Sequence, residues 1–305
     1  MTVIFKNDRI FKVRLIMSKI AIVTDSNSGI NQIQAKEMGI TVIPMPFTAG
    51  DKTYLEDISI NQEQFYELLD QNVNVSTSQP PIGEVIELWD KLLKEYDEVV
   101  HIPMSSGLSM AYDTAAIFAS EKPYEGRVHV VNNMRISVTQ RRSVFDALSL
   151  VSKGKTGTEI KNILEKNALE SSIYIIVDDL KYLKKGGRIT PAAAAFGALL
   201  GIKPVLQIQG KKLDAFKKAR GIKMAKVSML EAAKNDIINR FGGEENVYID
   251  IAHTNNLEEA NKFLQEVKKI FPNAIDNYMD SLSLSVSCHI GPGSLAIAIS
   301  KKLDI

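Results

Sequence analysis

The sequence predicts an α/β protein of two domains, and three observations carry this. Short apolar runs alternate with amphipathic helical stretches. The 305 residues exceed the roughly 250 that a single core supports. The alternation is interrupted most clearly once, by Ser152-Lys153-Gly154-Lys155-Thr156-Gly157. In order, residues 20–23 read as a buried strand that ends in the polar loop Thr24-Asp25-Ser26-Asn27. A helical pattern follows to Met38 with Gly39 as its stop, and residues 40–47 read as the next strand. Ser59 with Gln62 makes a capping box before a helix carrying Phe65, Leu68 and Leu69. Pro80-Pro81 open another through Ile86, Trp89 and Leu93. Residues 98–102 and 128–131 are further strands, each leading into a helix, which argues for a mostly parallel sheet covered on both faces. A second set has strands near 173–177, 203–208 and 247–252 and helices over 225–241 and 257–270. The boundary falls between 154 and 171, dividing the chain into domains 17–168 and 169–305.

Residues 1–16 are set apart as an extension outside the fold. They mix apolar and basic side chains with no unbroken apolar core and no cleavage site, unlike a signal peptide. Met17 is the expected natural start; a membrane-surface segment is the alternative. No run of about 18 apolar residues follows, so no membrane span is expected. With 37 Lys and Arg against 36 Asp and Glu, no global charge points to nucleic acid. The single Cys288 excludes an intrachain disulfide framework and fits a reducing, cytoplasmic setting.

Four stretches could carry chemistry. Ser76-Thr77-Ser78-Gln79-Pro80-Pro81 puts hydroxyls before a Pro-initiated helix, where they either bind an anion or cap the helix; spacing alone favours capping. Ser105-Ser106-Gly107-Leu108-Ser109 lies beyond the carboxyl end of a strand, where ligands of α/β sheets sit. Ser109 there is either an oxyanion donor or a helix cap. Lys184-Lys185-Gly186-Gly187-Arg188-Ile189 offers Arg188 to a carboxylate or phosphate, or is simply a basic helix end stopped by glycine. It leads through Thr190-Pro191 into a helix over 192–200, whose small residues 192–195 and Gly197 leave room for a ligand chain or allow close packing. Cys288-His289-Ile290-Gly291-Pro292-Gly293-Ser294 reads as the opening of the final helix, with His289 at an anion-friendly start or as a structural histidine. There is no C-x-x-C, no H-E-x-x-H, no complete P-loop (Ser149 stands at its first glycine) and no G-x-S-x-G elbow. No metal and no cofactor is expected.

Together and in this order the motifs resemble the DegV family of bacterial fatty-acid-binding proteins. The matching stretches are Thr24-Asp25-Ser26, Thr77-Ser78-Gln79-Pro80, residues 105–109 and Leu183-Lys184-Lys185-Gly186-Gly187-Arg188-Ile189, then Lys218-Ala219-Arg220, His253-Thr254-Asn255 and His289-Ile290-Gly291-Pro292-Gly293. The resemblance spans residues 18–305. It implies two α/β domains with one long-chain fatty acid between them. Its carboxylate would be held by Thr77, Ser109 and His289, with Arg188 nearby and the imidazole charged. It also implies a carrier rather than an enzyme, which presents the acid to a separate fatty-acid kinase for acyl-phosphate formation in phospholipid synthesis. Arg220 would face that partner or make a transient membrane contact. The chain departs from the family at Met110-Ala111, where glycine and threonine are common, and at Ser137-Val138-Thr139-Gln140-Arg141. The rival reading is a serine esterase or lipid hydrolase using Ser109 with His289; a DNA-binding regulator is disfavoured by the charge.

Overall fold

The computed structural model describes residues 18–196 and 202–304. The expected extension 1–16, Met17 and the end of the helix expected over 192–200 lie outside the described residues. The described elements alternate in the first half as β1 (Ile20–Asp25), α1 (Gln32–Met38), β2 (Thr41–Ile43), β3 (Pro46–Ala49), β4 (Lys52–Leu55), α2 (Gln62–Asp70), β5 (Val75–Thr77), α3 (Ile82–Leu92), β6 (Glu98–Ile102), α4 (Ala111–Ala119), β7 (Val128–Val130), α5 (Val138–Ser152) and α6 (Gly157–Lys166). In the second half they are β8 (Ser171–Ile176), α7 (Lys181–Gly186), α8 (Pro191–Ala194), β9 (Ile202–Ile208), β10 (Asp214–Arg220), α9 (Gly221–Asn239), β11 (Val247–His253), α10 (Leu257–Ile270), β12 (Met279–Ser281), α11 (Leu284–Ile290) and β13 (Leu295–Lys301).

Strands β2-β1-β6-β7 form a fully parallel sheet. Alternate residues of β1 enter different cores. Ile20 and Ile22 pack with Val144, Leu150 and Ile160 of α5 and α6, whereas Ala21 and Val23 pack with Val85 and Trp89 of α3 and Ala115 of α4. Both faces are thus covered, as a continuous apolar run in a parallel strand requires. The expected strand over 40–47 is two strands in two sheets, because Pro44 separates β2 from β3. β3 joins β4 and β5 in a small antiparallel sheet that packs with α2 against Leu284 and Cys288 of α11.

The six-stranded sheet β10-β9-β8-β13-β11-β12 corrects the expectation of mostly parallel pairing. Every neighbouring pair in it is antiparallel except β11 with β12. The hairpin-like pairing of β8, β9 and β10 supplies two of the antiparallel pairs and the central strand β13 the other two. Gly291-Pro292-Gly293 does not open a helix; Gly291, at φ 74°, ends α11, and the following Leu-Ala-Ile-Ala-Ile alternates with a period of two. Its large residues Leu295, Ile297 and Ile299 face Met229 of α9 and Phe263 of α10, and Ala296 and Ala298 face the opposite core.

Two local signals also resolve differently. The capping box before α2 is Asn61 with Gln64 rather than Ser59 with Gln62; the Ser59 hydroxyl instead bonds the Leu55 backbone. The 152–157 stretch is the turn between α5 and α6, with Thr156 and Glu159 boxing the second helix.

Glu56 sits where the small sheet meets α11. It is 8% exposed. Its Oε1 accepts from Leu284 N at 2.8 Å, while Oε2 has no partner among the described residues. Burial, with repulsion from Asp57 and Asp280, pushes its carboxyl up to about 8, and burial pushes that of Asp280 up to about 7. Both therefore hold a proton in the folded protein that the unfolded chain releases at lower pH. Their contribution to stability is complete below the ordinary carboxylate range and declines as pH rises through these values. Chemical denaturation is expected to show stability falling from about pH 4, where the unfolded chain releases these protons, to about pH 8, where the folded protein has released them too. Glu56→Gln keeps the acceptor, so it should flatten that slope and be the more stable form at the alkaline end by roughly 1–3 kcal/mol. Parallel profiles for the two proteins would contradict this.

Candidate functional site

A cavity of about 490 Å³ opens between the sheets, within the range of small-molecule sites. Its walls are largely apolar: Ile173, Ile175, Ile208, Leu183 and Met104 contribute, with Ala252, Ala296 and Ala298 among them. These three alanines share one patch of the six-stranded sheet, since Ala252 lies opposite Ala296 in register and Ala298 follows two residues on along β13. On the other face of the same strand the positions carry leucine and isoleucine. The cavity therefore exists where the sheet centre lacks large side chains. The alanines singled out in the sequence, 192–195, are not on the cavity wall; Ala193 and Ala194 belong to the adjoining core.

The structure brings Thr77, Ser109, Arg188 and His289 onto the wall of this one cavity. Thr77 ends β5 and does not cap α3, which has no side-chain cap; its Oγ1 lies 2.7 Å from His289 Nε2. His289 is on the last turn of α11 rather than at a helix start. Ser283 caps the other end of that helix. On the far side of the imidazole is Gly186, where a Cβ would stand 2.1 Å from Nδ1. Burial and then the Arg188 charge lower the His289 ring to about 4. The unliganded imidazole is thus neutral at physiological pH; the cation expected from the sequence is that of the ring beside a bound carboxylate.

Arg188 follows Gly187, whose φ of 67° ends α7 after Lys184 and Lys185. Its Nη1 donates to Gly186 O and its Nε to Leu108 O at 3.3 Å. These two bonds leave other guanidinium N–H groups available. Leu108 and Ser109 belong to the loop after β6. In that loop the Ser105 hydroxyl donates to Gly210 O and the Ser106 hydroxyl accepts from Asn132, so only Ser109 of the three serines lines the cavity. Ser109 Oγ accepts from Ala111 N at 3.2 Å, so it both steadies the start of α4 and retains a proton to donate. The loop lies against the β9–β10 turn at Gly107, where a Cβ would come within 2.6 Å of Lys211 Cα; only glycine fits there. Arg220 lies outside the cavity, exposed at the junction of β10 and α9.

Several further wall residues were not assigned to the site from the sequence, although three of them stand in stretches singled out there. Asn27, Gln79, Ser137 and Ser285 also line the cavity. The Thr24-Asp25-Ser26 stretch acts from behind: Asp25 accepts from Met104 N at 2.7 Å and Asn27 N at 3.0 Å, and Ser26 accepts from Met45 N at 3.0 Å. It fixes two loops whose methionines form cavity wall.

The grouping does not form a serine-hydrolase triad. The hydroxyl bonded to His289 is that of Thr77, not Ser109, and among the described residues no carboxylate hydrogen-bonds the ring to orient it. Among the described residues there is also no cluster of three or more potential metal ligands and no helix long and apolar enough to cross a membrane.

Comparison with known proteins gives this arrangement a context. Residues 19–302 match the family described as uncharacterised protein, DegV family. A DegV domain-containing protein of Staphylococcus aureus is 30% identical over 289 residues, covering 94% of this chain and all of the relative. Protein DegV of Bacillus subtilis is 31% identical over 281 residues, covering 91% and 98%. The crystal structure of the Bacillus subtilis DegV, described as a fatty acid binding protein, superposes with a TM-score of 0.81 at 30% identity, covering 93% of this chain and 100% of that one. A DegV family protein from Thermus thermophilus, described by its fatty acid binding, gives 0.84 at 26%, covering 93% and 99%. The order of the motifs, the two α/β domains and full-length similarity agree: the chain belongs to the DegV family.

Proposed function

We propose that this protein binds one long-chain fatty acid, with the carboxylate at Thr77, Ser109, His289 and Arg188 and the tail along the alanine patch, and presents it to a separate fatty-acid kinase. The observation that carries the reading is the convergence of those four side chains on the wall of a mainly apolar cavity. About fourteen buried methylenes at ~0.8 kcal/mol each supply on the order of 11 kcal/mol of gross driving force. Lost translational and rotational freedom removes part of it. A carboxylate buried without donors would remove most of the rest, which is why the polar cluster decides selectivity.

Presentation to a partner is supported by the mouth of the cavity. Ser78 and Met110 line it and are exposed, Met110 at 63%. The head-group cluster is next to both in sequence, so a kinase can approach the carboxylate there. Arg220, with exposed Ile222 and Met224 on the following turn, is the surface we assign to the partner or to a transient membrane contact.

Three outcomes test this reading. Mass spectrometry of the denatured protein should find one long-chain acid per chain. Thr77→Ala, Ser109→Ala and His289→Ala should each weaken retention by roughly 1–3 kcal/mol, and Gly186→Ala should do so by displacing the imidazole. Normal retention in all four folded variants would overturn the head-group assignment.

Binding should also take up a proton. The unliganded imidazole titrates at about 4, and an adjacent carboxylate raises that value. Between the two values the complex holds more protons than the free protein, so affinity rises as pH falls from neutrality towards about 5. Calorimetry at about pH 6 in two buffers of different ionisation enthalpy should register the uptake; identical heats would exclude it.

Finally, an acyl-phosphate trapping assay should give product only when kinase, ATP and this protein are combined. Product from the protein and ATP alone would overturn the carrier reading.

A further inference from the structure

Part of the cavity wall is polar in a way that a carboxylate and a plain hydrocarbon tail do not use. Ser137 lines the cavity and is only 5% exposed, yet among the described residues its Oγ has no hydrogen-bond partner. Its desolvation is uncompensated. Its backbone is held at φ 58° and ψ −140°, a conformation that non-glycine residues rarely adopt and that gathers at functional sites. The Ser137 N–H donates to Asn27 O at 2.8 Å, which keeps the two residues together.

Asn27 is itself buried and on the wall. Its Oδ1 accepts from Ser283 Oγ at 2.9 Å and from Ser285 Oγ. Its Nδ2 finds only the Met104 thioether at 3.0 Å, a weak acceptor. One hydroxyl and one amide therefore lack an oxygen partner on the same stretch of wall. Their neighbour Ser285, which donates to Asn27 Oδ1, precedes His289 by one helical turn, roughly 6 Å of rise, so the pair lies to the same side of the head group as the start of α11. A methylene at this point would leave both groups unsatisfied. A hydroxyl oxygen would accept from Asn27 Nδ2 and share a hydrogen bond with Ser137 Oγ.

We propose that Ser137 and Asn27 form a specificity site for a hydroxylated acyl chain, whose hydroxyl lies a few carbons from the carboxylate. The proposal rests on the fatty-acid reading above and sharpens its substrate class. A bound water offers the same oxygen chemistry, and the experiment separates the two sources.

The stripped protein is offered an equimolar mixture of palmitate, palmitate hydroxylated at the third or at the fifth carbon, and stearate hydroxylated at mid-chain. Retained acids are quantified by mass spectrometry. The wild type should enrich one of the near-carboxylate hydroxy acids at least tenfold over palmitate and leave the mid-chain hydroxystearate unenriched. In Ser137→Ala that ratio should collapse towards one. Ser137→Gly, which suits the positive φ, removes the same hydroxyl and should give the same collapse should the alanine variant fold poorly. Equal retention of palmitate and every hydroxy acid by the wild type would overturn the proposal, since a water then fills the position. So would an enrichment that survives both substitutions. Failure to retain any of the acids would overturn it together with the fatty-acid reading itself.

Discussion

The hydrogen bond between Thr77 and His289 joins residues 212 apart in sequence and ties the small antiparallel sheet to the helix behind the cavity. Much of the surrounding architecture serves its geometry. Gly186 leaves room for the ring, Glu56 holds the first N–H of α11, and Tyr66 bonds Ser287 in the middle of that helix at 3.1 Å. The ring is further buried beside Arg188, which keeps it uncharged. A neutral imidazole can either accept from the Thr77 hydroxyl or donate to it. In the second case Thr77 is free to donate to a ligand. The pair can therefore change the direction of its hydrogen bond without moving either side chain.

The near-zero net charge of the chain hides a concentration of buried acid behind this site. Asp25, pushed up to about 6 by burial, organises the loops after β1 and β6, and Asp280 lies close enough to Glu56 to help raise it. A fixed negative field close to a carboxylate site would oppose the ligand. Burial that keeps Glu56 protonated, and Asp280 partly so, near neutral pH removes part of that opposition.

The sequence made the first half of the fold largely legible, because β1 and β6 are buried on both faces and appear as unbroken apolar runs ended by polar loops. The second half was harder. β13 alternates isoleucine with alanine, and alanine next to a glycine-proline-glycine stretch gave equal support to a helix. Misreading it hid the antiparallel sheet and, with it, the alanine patch that makes room for a ligand. His289 was found through the family motif, but its place at a helix end was not. Ser285 carried no local signal; Asn27 was visible only as part of a polar loop and Ser137 only as part of a departure from the family pattern, because its backbone angle and its missing partner exist only once the chain is folded. Thr77, Ser109, Arg188 and His289 come from four separated stretches, and nothing in their spacing shows that they meet.

The cavity wall is drawn from the core cluster that includes Ile173, Ile175, Leu183 and Ala298, so the acyl chain of the proposed ligand would be packed as an interior side chain is. Preference among chain lengths then obeys the rules of core mutagenesis. An acid a few carbons short acts like a large-to-small substitution, with a penalty of about 24 cal/mol for each Å³ left unfilled. An acid too long acts like overpacking, which costs roughly 1–3 kcal/mol as neighbouring rotamers and backbone shift. Penalties of the first kind grow gradually; those of the second arrive at a wall. A graded tolerance on the short side and an abrupt limit on the long side is the profile such a lining imposes, with Ala252, Ala296 and Ala298 among the side chains whose size sets where the limit falls.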